Sequence, residues 1–131
     1  MLGGAYSRLG HRIVEGVVAA GYPQRPAHSA VFANIDVARG SRLTDLAGKA
    51  NMTAQALGEL VDDLERLGYV KRMPDPSDRR AKLIALTDLG MACVEEAIAV
   101  IAGIERQLGV LVGPRSLAEL QRILGLIIAD G

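Results

Sequence analysis

The stretch TAQALGELVDDLERLG, Thr53 to Gly68, constrains the fold more than any other part of the chain. Leu57, Leu60, Val61, Leu64 and Leu67 recur at steps of three and four, which makes one face of a helix apolar and requires its burial. Thr53 can cap that helix, and Gly68 suits the left-handed turn that ends one. Just upstream, Thr44 can cap a shorter helix with Asp45 at its positive end, and Leu46, Ala47 and Ala50 form its inner stripe. Only Asn51 and Met52 connect this helix to the cap at Thr53. Two helices joined so tightly read as a helix-turn-helix.

After Gly68, YVKR and AKLIALT read as two short strands, with MPDPSD as the loop between them. Proline cannot donate to a sheet ladder, so Pro74 and Pro76 are expected in the loop. A helix-turn-helix followed by such a hairpin is a winged helix. The hairpin is basic: residues 71–82 hold Lys71, Arg72, Arg79, Arg80 and Lys82 against Asp75 and Asp78, although the whole chain has no net charge. A field acts where it is local, so the hairpin can still meet phosphates.

The flanks are helical. Tyr6, Leu9, Ile13, Val17 and Ala20 predict a first helix over about residues 4–20, and Val31, Phe32 and Ile35 a short second one. Thr87 and Asp88 can open a long helix with Met91, Val94, Ile98, Ile101 and Leu108 on one side, interrupted at Gly109 and at Gly113–Pro114. Ser116 to Glu119 has a capping-box pattern for a last helix. That helix is apolar over more than half its circumference, so it needs a partner beyond its own domain. The 131 residues are one domain's worth of chain, with three expected parts: helices over 1–38, the winged helix over 39–87 and helices over 88–131. The fold class is therefore mainly α with a small β-hairpin wing.

Leu43 to Gly90 resembles the MarR-type winged-helix transcriptional regulators, through LTDLAGKANMTAQALGELVDDLERLGYVKR and DPSDRRAKLIALTDLG. The resemblance implies a homodimer whose first, fifth and sixth helices intertwine as dimerisation helices, so that two winged helices bind a near-palindromic operator in double-stranded DNA. It also implies release by a small aromatic or phenolic effector. The two recognition helices would enter major grooves about 34 Å apart. Thr53, Ala54, Gln55 and Gly58, with Asp62 at the edge of the set, are the expected groove-facing residues; glutamine can pair with adenine and alanine can touch a thymine methyl. By the same resemblance Arg80 enters the minor groove, held by an ion pair from Asp78. Arg79, Arg72, Lys71 and Lys82 would meet phosphates. Tyr6, His28 and Phe32 are expected to border an effector pocket between the first, second and fifth helices. The chain departs from some relatives in its short N-terminus and in having no cysteine there, so thiol sensing is not expected.

Other classes find little support. His11 and His28 have no ligand-type neighbours at metal spacing, no glycine-rich phosphate loop precedes a helix, and no cofactor or enzymatic activity is expected. The lone Cys93 reads as a small buried hydrophobe and fits a reducing cytoplasm. The N-terminus has no apolar h-region and no run of residues suits a membrane span, so a cytoplasmic protein is expected. The rival reading is a winged helix that holds another protein and has no DNA target of its own.

Overall fold

The computed structural model describes residues 1–131. Its elements run α1 (Leu2–Ala19), a 3-10 turn (Pro26–His28), α2 (Ser29–Phe32), α3 (Leu43–Ala50), α4 (Ala54–Arg66), β1 (Val70–Asp75), β2 (Asp78–Leu86), α5 (Asp88–Val112) and α6 (Pro114–Asp130). The strands form one antiparallel ribbon, Val70 opposite Leu86 through Pro74 opposite Lys82. This is a winged helix-turn-helix with long helices at both ends.

The leucine stripe of α4 organises the interior. Leu57, Leu60, Val61 and Leu64 are buried in one cluster with Leu46 and Ala47 of α3, Val17 of α1, Val31 of α2, Ile84 of β2 and Cys93 of α5. Leu67 is partly exposed, because the helix has already turned into its cap there. Thr53 caps α4 by accepting the Ala56 N–H at 3.1 Å. At the other end the Tyr69 N–H reaches the Leu64 carbonyl and the Gly68 N–H the Glu65 carbonyl, with Gly68 at φ +86°. That pairing closes the last turn and aims the chain into β1.

Tyr69 joins three segments. Its hydroxyl donates to the Pro23 carbonyl at 2.8 Å, its ring meets Phe32 edge-on at 5.7 Å, and its own carbonyl accepts the Thr87 N–H at 3.0 Å. Burial pushes its phenol up to about 12. Gly90 lies against this carbonyl so closely that a Cβ there would sit 2.0 Å from the oxygen. Gly16 plays a similar part between α1 and α5, where a Cβ would come within 2.7 Å of Val100 Cγ1.

Several boundaries differ from the sequence expectation. α3 begins at Leu43, so Thr44 lies inside its first turn and does not cap it. The backbone of Ser41 exchanges hydrogen bonds with Ile84, holding the chain extended up to Arg42, and the helix starts where that pairing ends. α2 stops at Phe32 although Ile35 is buried. The Asn34 side chain donates to the Ala30 carbonyl at 2.7 Å while its own N–H turns to the Val31 carbonyl, so the last turn tightens there. Met73, Pro74 and Asp75 belong to β1, leaving only Pro76 and Ser77 as the turn. In a two-stranded ribbon each strand is an edge, and a register shift at Pro74/Asp75 absorbs the missing donor.

In α5 the packed face is Gly90, Cys93, Ala97, Val100 and Ile104, while Ile98 is 62% exposed. The close crossing at Gly16 selects that face. Gly109 does not interrupt α5, which runs on to Val112. α6 starts at Pro114, a residue suited to a first helical turn, and Ser116 is already inside it. Glu119 pairs with Arg122 and takes no part in a capping box. No residue of α6 is buried.

Gly90→Ala is expected to destabilise the fold by about 2 kcal/mol or more, because the obstacle is backbone and cannot rotate away. Gly10→Ala, on α1 with nothing within 4 Å of a new Cβ, should be neutral or stabilising by up to about 1 kcal/mol. Urea unfolding of the two variants checks the contrast.

Candidate nucleic-acid interface

The turn before α4 depends on one left-handed residue. Asn51 has φ +54° and ψ +45°, a conformation asparagine tolerates better than most side chains. It brings Thr53, Ala54 and Gln55 to the exposed N-terminal end of α4. Gly58 is half-buried, and a Cβ there would touch Leu43 at 3.8 Å. Asp62 lies one turn further along.

The hairpin tip is organised by a carboxylate. Asp75, 8% exposed, accepts the Ser77 backbone N–H at 2.8 Å and the Ser77 hydroxyl at 2.7 Å on Oδ1. Its Oδ2 accepts two bonds from Arg42, Nε at 2.9 Å and a terminal nitrogen at 2.7 Å. One side chain thus closes the turn and fastens it to the residue preceding α3. Nearer the base, the Ser41–Ile84 pairing holds β2 against the same loop. Gly40, at φ +78°, permits this approach, since a Cβ would lie 2.8 Å from the Ile84 carbonyl.

Arg79, Arg80 and Lys82 are exposed on β2, and Lys71 on β1; none makes an ion pair. Strand alternation puts Arg80 and Lys82 on one side of the ribbon and Arg79 on the other. Three expectations about site residues need correction. Asp78 does not hold the Arg80 guanidinium: its Oδ1 accepts the Arg80 backbone N–H at 2.9 Å, which fixes the strand and leaves the side chain free. Arg72 is not free for phosphate, because it donates to Asp62 at 2.8 Å and to Glu65 at 2.9 Å. Those carboxylates face β1 across the gap from α4, and opposite charges at that distance pair.

The third correction concerns Tyr6, His28 and Phe32, which do not line a common pocket. Tyr6 is 79% exposed near the start of α1, and Phe32 packs on Tyr69. His28 is buried, and its Nδ1 accepts the Arg25 N–H at 3.0 Å. Its Nε2 faces Asp63 Oδ2 at 3.4 Å. Asp63 is also bonded by Arg25 and Arg66, and Arg25 above all, then His28, hold its carboxyl below the usual carboxylate range. These groups line an open cleft of about 630 Å³ with Pro23, Gln24 and Leu67. Gln24 donates to the Cys93 sulfur at 3.2 Å, and burial pushes that thiol up, away from a reactive thiolate. No His, Cys, Asp and Glu cluster could hold a metal, and no helix is long and apolar enough to cross a membrane.

The sequence reading missed Arg42 and Asp75 as the wing's anchor. The only signal was the Asp-Pro-Ser order typical of a side-chain-closed turn.

Fold and site define a winged helix-turn-helix protein of the type that reads nucleic acid. Residues 27–82 match the sequence profile of the MarR family of winged-helix transcriptional regulators. The chain is 38% identical over 52 residues to the HTH-type transcriptional regulator PrsX of Escherichia coli, a match covering 40% of this chain and 31% of that one. The chain therefore accounts for about a third of the length of that relative. Among solved structures it is similar to the transcriptional repressor CouR bound to a 23-mer DNA duplex, at 29% identity and a TM-score of 0.72, over 98% of this chain and 92% of that one. A mutant MarR from E. coli has the same fold at 21% identity and a TM-score of 0.78, over 97% and 93% of the two chains.

Ser77 chiefly, through its amide and then its hydroxyl, and Arg42 after it lower the Asp75 carboxyl from 3.8 to about 2. The folded state holds this charge more tightly than the unfolded chain does. Its stabilisation is therefore complete above the unfolded value and fades as pH falls from about 4 towards 2. Asp75→Asn should be less stable than the parent at neutral pH and show a flatter loss over that window, as read by thermal unfolding at stepped pH.

Proposed function

We propose that this chain binds double-stranded DNA as a homodimer and represses transcription from a near-palindromic operator. The observation that carries the reading is the arrangement of the cations. Arg79, Arg80 and Lys82 stand unpaired on a hairpin whose tip is anchored to the helix-turn-helix, beside the open end of α4. Arg80 enters a minor groove, Lys82, Lys71 and Arg79 meet phosphates, and Thr53, Ala54 and Gln55 face base edges in the major groove. That the similar repressor CouR is bound to a 23-mer DNA duplex supports DNA as the partner.

The homodimer rests on the unpartnered apolar surface of the terminal helices. Leu126, Ile127 and Ile128 of α6 are 60%, 59% and 79% exposed, and Leu2 and Tyr6 of α1 are exposed as well. A surface of this kind is unfavourable in water, and a second copy presents the same one. For a small aromatic or phenolic effector the cleft at His28, Arg25 and Asp63 is the best placed, since it joins the segment after α1 to the recognition helix. Occupation there changes the angle between lobes, and a dimer so altered no longer matches the half-site spacing. The reading also places the protein in the cytoplasm, without catalytic activity.

Arg80→Ala is expected to weaken operator binding by about 1–3 kcal/mol, fivefold or more, while the dimer persists. Fluorescence anisotropy with a selected duplex and sedimentation of the free protein measure the two; unchanged affinity rejects the wing's role. Lys82→Ala should lower affinity for all duplexes and reduce the salt slope by about 1. Ile127→Glu should shift the sedimenting species from dimer to monomer and abolish operator binding with it.

A further inference from the structure

The charge pattern of α4 singles out one side chain. The helix carries four carboxylates, Glu59, Asp62, Asp63 and Glu65, an unusual load for an element that approaches phosphates. Three are neutralised from outside the interface. Arg72 reaches across from β1 to Asp62 and Glu65, and Arg25, Arg66 and His28 hold Asp63. Glu59 alone has no cation within ion-pair distance, and it is exposed. It also sits one helical turn beyond Gln55, on the side away from the Leu57, Leu60, Val61 and Leu64 stripe. In a groove its charge would repel phosphates unless its oxygens find donors there.

We infer that Glu59 is a specificity-determining residue that accepts a hydrogen bond from a cytosine amino group in each half-site. The inference rests on the DNA-binding reading above. The major groove offers two exocyclic amino donors, those of cytosine and adenine. Adenine presents the N7 acceptor beside its amino group, which suits an amide and repels a carboxylate; cytosine presents the amino group without that neighbour. Gln55 therefore suits adenine and Glu59 cytosine. Four residues rise about 6 Å along a helix, against about 3.4 Å per base step, which separates the two bases by one or two pairs. The other three acids are poorer candidates, because a cation of the protein already holds each of them.

The test is selection of bound sequences from random duplexes with the full chain, its Glu59→Gln variant and its Glu59→Ala variant. The parent should enrich a two-fold-symmetric site with a fixed cytosine in each half. Glu59→Gln should move that position towards adenine, and Glu59→Ala should leave it unspecified, with the remaining positions unchanged. In direct titration, replacing the cytosine should cost the parent about tenfold or more and Glu59→Ala less than about twofold. Variants that keep the parent's base profile overturn the inference. So does a uniform gain in affinity for all duplexes, the mark of a merely repulsive charge. A parent that enriches no duplex overturns the DNA-binding reading itself, and the inference with it. Glu59 is exposed and partnerless, so unfolding does not confound the comparison, and Glu59→Gln keeps its size.

Discussion

The wing is a defined arm because of one carboxylate. Asp75 uses one oxygen to close the turn at Ser77 and the other to take two donors from Arg42. A two-stranded ribbon standing alone in water is marginal. Here the turn geometry is set locally and its direction is set by the start of α3. The arginines at the tip therefore hold a fixed relation to the recognition helix, which hydrophobic burial alone would not give, since the tip has almost no buried surface.

A chain of zero net charge acquires a basic hairpin by using its charges in different ways. Most acids near the interface are matched at short range: Asp62 and Glu65 by Arg72, Asp63 by Arg25 and Arg66, Asp75 by Arg42. Exposed pairs of this kind contribute little to stability. Their effect is on the field, since Asp62, Asp63 and Glu65 of α4 are screened while Lys71, Arg79, Arg80 and Lys82 of the hairpin are not. Arg72 is the clearest case, a base that serves the interface from behind by neutralising the helix.

The winged helix was legible because its signals are local. The α4 stripe, the Thr53 cap, Gly68 and Thr87 each state a rule that neighbours in sequence enforce, and the structure keeps all four. What sequence could not give was the partner of each charge. Arg72 and Asp78 are plausible DNA contacts until their nearby partners are in place, and the Arg42–Asp75 tie spans 33 residues. Helix faces failed for the same reason. Several apolar lines run along α5, and only the crossing at Gly16 decides which one packs. The grouping of Tyr6 with His28 and Phe32 joined residues that one protomer keeps apart, since Tyr6 is exposed near the start of α1 while His28 is buried.

The three attachments of Tyr69 have a mechanical consequence. Hydroxyl, ring and carbonyl tie the segment after α1, α2 and the start of α5 to the root of the hairpin. These parts turn together or not at all, and β1, fastened at its far end to Arg42, is a lever that carries the start of α3 with it about that ring. At about 3.3 Å per residue its six residues reach roughly 20 Å, so a twist of about 5° at the fulcrum sweeps the far end through about 2 Å. Small motions among the long helices are thus magnified where the guanidinium groups stand.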